Sequence, residues 1–230
     1  MHEMTPADLP PPHEPGIVTV SARTGVILVI FTIAFTAMMA ATYLATKAPI
    51  EASAQAEKMK LIGEVLPASA YDNDLLTDWL DLPPTAALGL DLPSRLYRAR
   101  HAGAPAALVL EAAAPDGYSG RIGLLLAVRP SGELIAVRVT GHKETPGLGD
   151  YIDPRKDKNK ARPWISQFDG LGFAQVPRAD WKVRKDGGRF DQRAGATISA
   201  RAVTNAVGCA LQHASDERER LWGAAAQSKL

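Results

Sequence analysis

Two short runs hold the residues best suited to chemistry. Gly195 to Ser199 reads GATIS and opens a run with helical spacing of apolar residues. The first N–H groups of a helix have no intrahelical partner and sit at the positive end of its dipole, so they form a natural seat for a phosphate. Thr197 falls at or near the N-cap position, with Ser199 two residues on. A threonine there can simply cap the helix; its hydroxyl can also be esterified by a phosphate. Gly141 to Asp150 reads GHKETPGLGD and follows a strand. Its glycines permit positive φ and close approach of a ligand to the backbone. His142, Lys143 and Glu144 are polar groups at a strand end, a usual place for a binding loop. The plain alternative is a long turn.

A third run, Pro154 to Trp164, reads PRKDKNKARPW and concentrates basic groups between Arg155 and Arg162. It is either a solvated loop or a docking patch for a partner or lipid headgroups. Trp164 and Phe168 follow, as core residues or as surfaces for a flat ring.

The inventory excludes other chemistries. Cys209 is the single cysteine, which rules out an intrachain disulfide, a CxxC redox pair, a Cys-ligated zinc finger and an iron–sulfur cluster held by this chain alone. The five histidines are scattered, with no HExxH and no CxxCH, so no metal site is expected. If the chain moves electrons, it must borrow an organic cofactor or haem. There is no GxGxxG fingerprint for a nicotinamide dinucleotide. The 26 basic and 25 acidic residues leave a net charge of +1, which argues against a nucleic-acid partner. Hydrophobic residues at 46% and charged residues at 22% fit a folded protein and exclude a wholly disordered one.

These runs need elements to position them. No charge occurs between Arg23 and Lys47. As a helix, residues 24–46 reach roughly 35 Å at about 1.5 Å per residue, enough for a bilayer core of about 30 Å. The stretch has no polar face and is longer than a signal-peptide core, although a cleaved signal remains the alternative. Arg23 on one side and Lys47, Lys58 and Lys60 on the other leave the topology open. Residues 1–16, rich in proline, read as a disordered tail. Pro49 to Leu66 reads as a linker helix ended by Pro67, and Asp81 to Pro93 as irregular.

From Arg95 the period becomes two. Leu96 to His101, Ala106 to Ala112, Ile122 to Val128 and Ile135 to Val139 predict an antiparallel meander of about four strands. A hairpin around Lys185–Gly188 can add two more. A helix is expected from about Ile198 to His213, burying Ile198, Ala202, Ala206, Cys209 and Ala210. Ser215 to Leu230 reads as a charged, fraying tail. The fold class is α+β: an anchor helix, a linker helix, an antiparallel sheet and a closing helix.

Taken together, HKETPGLGD and GAT-x-S resemble the FMN-binding domain family, and within it the G subunit of the Rnf (Rsx) ion-translocating electron-transport complex. The C subunit of the sodium-translocating NADH:quinone reductase is a related alternative; from another class, a non-redox membrane-anchored binding module is the rival. The resemblance also covers the anchor, EVLPASAYDNDLL, PWISQFDG and GATISARAVTNAV. It implies a non-autonomous flavoprotein subunit with no catalytic residues of its own, carrying FMN covalently on Thr197 through a phosphoester bond. A flavin transferase would attach it, using FAD as donor with magnesium. Gly195, Ala196, Ser199, His142, Lys143, Glu144, Thr145, Gly147 and Leu148 are the further cofactor-binding residues it implies. The other partners implied are the remaining subunits of the complex and membrane lipid. The location implied is the bacterial inner membrane, single-pass, with the FMN domain on the periplasmic side. The expected division is a cytoplasmic tail (1–23), a transmembrane helix (24–46), a linker segment (47–93), the FMN-binding domain (94–214) and a C-terminal tail (215–230).

Overall fold

The computed structural model describes residues 16–230. The tail expected over residues 1–16 lies, up to residue 15, outside the described residues. The chain divides into two compact units between Ala56 and Glu57.

Helix α1 runs unbroken from Ile17 to Val65, through Pro49. Separate anchor and linker helices were expected; one helix is found. Proline removes a single backbone donor, and the Ala, Glu and Lys residues around it favour helix strongly enough to carry it through. In the first unit the apolar side chains of this helix are exposed, and its length and composition suffice to cross a membrane. Its hydroxyls are satisfied within the helix: Thr32 Oγ1 donates to the Leu28 carbonyl at 2.8 Å and Thr42 Oγ1 to the Met38 carbonyl at 2.9 Å. Polar groups bonded in this way lose little by leaving water.

The second unit is built on a six-stranded sheet of order β5-β4-β3-β2-β1-β6. Strands β2 (Ser94–His101), β3 (Ala104–Ala114), β4 (Ile122–Val128) and β5 (Leu134–Gly141) form the expected antiparallel meander. β1 (Trp79–Leu82) joins β2 antiparallel and runs two residues into the stretch read as irregular from Asp81, and β6 (Ser228–Lys229) pairs with β1 in parallel. Both faces are covered. Ile62, Val65, Leu66 and Leu75 pack on Tyr97, Val109, Leu125 and Ala127. Leu96, Leu110, Leu124, Leu126 and Val137 meet α2 (Thr197–Asp216) and the aromatic cluster of Phe168, Trp181 and Phe190 on the other side. Hence β4 is apolar almost throughout. A register shift at Ala127/Val128 sends Ile135 to the face opposite Val137, breaking the simple alternation.

Three further expectations are corrected. Of the expected face of α2, Ala202 and Ala210 are buried, while Ile198 is exposed and Cys209 half-buried; Ala200, Val203, Val207, Leu211 and Ala214 complete the buried side. The Lys185–Gly188 segment forms a short helical turn and a single parallel bridge, Val183 with Phe190, rather than a hairpin. Residues after Ser215 do not fray: α3 (Arg218–Gly223) buries Leu221, and β6 follows. Arg98 explains this docking. It is buried in β2, bonds Asp78 Oδ1 at 2.7 Å, and donates to the carbonyls of Leu221 at 3.2 Å and Ala224 at 2.7 Å.

Candidate functional site

The loop after β5 is shaped by its own backbone. The Thr145 carbonyl accepts the N–H groups of Leu148 and Gly149, both at 3.1 Å. Gly147, at φ +76°, donates to Asp150 Oδ1 at 2.9 Å. The turn Gly149–Ile152 then buries Tyr151 beneath the approach to α2. Tyr151 OH donates to the Ala196 carbonyl and accepts the Arg193 N–H, both at 3.2 Å. Arg193 lies 4.5 Å over the Tyr151 ring and pairs with Asp157. Burial raises the Tyr151 phenol, an effect that the Arg193 N–H and guanidinium only partly oppose.

Asp157 is fully buried. It accepts the N–H groups of Trp164 at 2.7 Å and Asn159 at 3.0 Å. Burial pushes its carboxyl up, but these two N–H groups and Arg193 outweigh that and hold it below its ordinary value. The basic run is therefore a loop wound around a buried acid. Lys156, Lys158, Lys160 and Arg162 remain exposed on it.

Between the two candidate loops lies a cavity of about 260 Å³, just below the usual range of small-molecule sites, which starts at about 300 Å³. Its mouth carries Tyr118, Leu148 and Ile198, all exposed. These are three of the four exposed large hydrophobic residues beyond α1, the other being Leu92. Its inner wall includes Glu144, Gly149, Gly195, Ala196 and Ser199, with Thr145 beside them. Glu144 is the junction. Its Oε1 accepts the Ser119 N–H at 3.0 Å, and its Oε2 accepts the Ser199 hydroxyl. Space here is tight: a Cβ on Gly149 would lie 2.6 Å from Ser199 Oγ and 2.7 Å from Glu144 Oε2.

The cavity thus brings together Glu144, Thr145, Leu148, Gly195, Ala196 and Ser199. Four residues stand apart from its lining. Lys143 and Gly147 are exposed. His142 accepts the Glu144 N–H at Nδ1 and places Nε2 3.8 Å from Asp153. Thr197 is the first residue of α2, half-buried, between the lining residues Ala196 and Ile198. Ala196, not Thr197, occupies the N-cap position, and no side chain caps the helix. Ser199, at 1% exposure, is bonded to Glu144 rather than free to meet a phosphate.

Tyr118 and Ile198 join the site without a signal in the sequence that marks them. Tyr118 sits in an Asp-Gly-Tyr-Ser-Gly turn with no periodicity to mark it, and Ile198 was assigned to the core. Trp164 and Phe168 are core residues. Trp164 also borders a separate, polar cavity of about 300 Å³ that shares no lining residue with the first.

Profiles of two families match this chain: the FMN-binding domain over residues 117–212 and the RnfG N-terminal region over residues 19–65. Among similar proteins is the G subunit of the ion-translocating oxidoreductase complex of Pseudomonas aeruginosa (strain UCBPP-PA14), 42% identical over 199 residues, covering 86% of this chain and 91% of that protein. The corresponding G subunit of Photorhabdus laumondii is 44% identical over 185 residues, 80% of this chain and 86% of its own. That of Pseudoalteromonas atlantica is 42% identical over 186 residues, 81% and 84%.

Proposed function

The chain belongs to the family of ion-translocating oxidoreductase complex G subunits and contains an FMN-binding domain; from this premise we propose that it is a membrane-anchored electron carrier whose FMN is esterified to Thr197. When bound, FMN accepts electrons from one redox partner and passes them to another. The remaining work falls to this chain's residues. Tyr118, Leu148 and Ile198 offer apolar surface to a flat ring, while Glu144, Ser199 and the backbone at Gly195 and Ala196 fix the floor. The residues present fit such a group: an apolar mouth, a tightly bonded polar wall and a helix start meet in one cavity.

The observation that carries the Thr197 assignment is the contrast between the two hydroxyls. Ser199 is buried and engaged by Glu144, whereas Thr197 is partly exposed at the first position of α2 beside the cavity. A phosphate on its oxygen meets the open N–H groups of the helix start. Residues 24–46 of α1 serve as a single-pass anchor in a bacterial inner membrane, with the sheet domain on the periplasmic side. A flavin transferase using FAD and magnesium completes the protein, which then works beside the other subunits of its complex and the surrounding lipid. A tethered flavin cannot diffuse away outside the cell.

Intact mass of the full chain, coexpressed with and without a flavin transferase, tests this. Attachment adds the mass of FMN less one water and gives a fluorescent band in a denaturing gel. Thr197→Val removes the gain while leaving the fold. Covalent flavin on the valine variant would refute the site; its absence from the wild type in a competent host would refute the reading.

A further inference from the structure

We infer that the carboxylate of Glu144 acts as a fixed negative charge that lowers the reduction potential of the cofactor in the 260 Å³ cavity; this rests on the FMN reading above. Glu144 is 4% exposed and lines the cavity. Both of its bonds, from the Ser119 N–H and the Ser199 hydroxyl, use it as an acceptor, the role of the ionised form. Among the described residues no salt bridge reaches Glu144, while Arg155 is paired with Asp153 and Arg193 with Asp157. Lys143 is exposed.

A buried charge with no counter-ion is costly to hold. The chain nevertheless builds closely around this one. A Cβ on Gly117 would lie 2.9 Å from Oε1, and one on Gly149 2.7 Å from Oε2. A mere cross-link between Ser119, the post-β5 loop and α2 would be served by glutamine, which has the same reach: its carbonyl accepts the Ser119 N–H and its amide donates to Ser199 Oγ, with that hydroxyl turned round. What glutamine lacks is the charge.

Reduction by two electrons and one proton leaves one net negative charge on an initially neutral ring system. A fixed anion beside it disfavours that form against the oxidised one. The electrons come from, and return to, neighbouring redox subunits. A sphere of 260 Å³ is roughly 8 Å across; at that separation and an effective dielectric of about 20, the repulsion changes the reduction equilibrium by roughly thirtyfold. At about 30 mV per tenfold for a two-electron couple, this is about 45 mV.

The test uses the full chain, flavinylated by a coexpressed transferase and purified in detergent. Midpoint potentials are measured by dithionite titration against indicator dyes. E144Q is expected to favour reduction by roughly thirtyfold, while E144D, which keeps the charge, stays within about threefold of the wild type. An E144Q potential within that threefold of the wild type overturns the inference. Loss of flavin from E144Q, with or without its loss from E144D, also overturns it, because Glu144 would then serve attachment. Flavin missing from the wild type instead refutes the proposed function, and the inference falls with it.

Discussion

A single methyl group on Gly149 separates steric from conformational demands in the post-β5 loop. The Cβ of Gly149→Ala would stand 2.6 Å from Ser199 Oγ, 2.7 Å from Glu144 Oε2 and 3.2 Å from Glu144 Cβ. Ordinary contact starts near 3.4 Å, so the hydroxyl and the carboxylate must both retreat by several tenths of an ångström. Neither has room to do so freely, since Ser199 is at 1% and Glu144 at 4% exposure. Overpacking of this kind costs about 1–3 kcal/mol, and a weakened bond to a buried carboxylate adds about 1–3 kcal/mol. Gly147→Ala is the control. Its φ of +76° strains an alanine, but a Cβ there meets nothing within 4 Å. It should cost on the order of 1 kcal/mol and leave the Glu144–Ser199 bond intact. Urea unfolding of the full chain in detergent gives both stabilities, and intact mass after coexpression with a transferase gives the flavin yield. G149A is expected to lose more stability than G147A and to lower the yield, with G147A near wild type in yield. Equal yields in the two variants, or a G149A protein as stable as the wild type, would refute the packing argument.

Two predictions concern the scaffold. Arg98→Met leaves Asp78 with only Arg100 and deprives the Leu221 and Ala224 carbonyls of their donor; a loss of about 3–5 kcal/mol is expected in urea unfolding, and a loss under about 1 kcal/mol would contradict the docking role. Asp157 is held below its ordinary value of 3.8, so its contribution is complete above that pH and fades as the pH falls through the lower folded value. The stability gap between wild type and Asp157→Asn should therefore be widest above pH 3.8 and narrow on acidification; a gap that widens instead would reverse the sign.

The meander from Leu96 to Val139 was legible because alternation is a local property, and the convergence of HKETPGLGD with GATIS followed from their shared resemblance. What escaped depends on distant partners. Arg98 looks like a surface residue until carbonyls more than a hundred positions away accept its protons. β6 is two residues long and carries no pattern of its own. In α2, alanines on every side blur the apolar face; the decisive stripe is Val203, Val207 and Leu211, spaced by four. Tyr118 lines the cavity only because β4 returns the turn before it to the loop after β5.

The parallel pairing of β6 with β1 also imposes an order of events. Gln227 reaches the Thr77 carbonyl from 150 positions away, and the Leu80–Ser228 pair lies at a similar separation. The sheet margin at β1 therefore stays open throughout synthesis of everything between, a bare row of backbone groups available to a chaperone or to an errant strand. Completion of this half of the molecule therefore waits for the segment that follows α3 rather than for the meander.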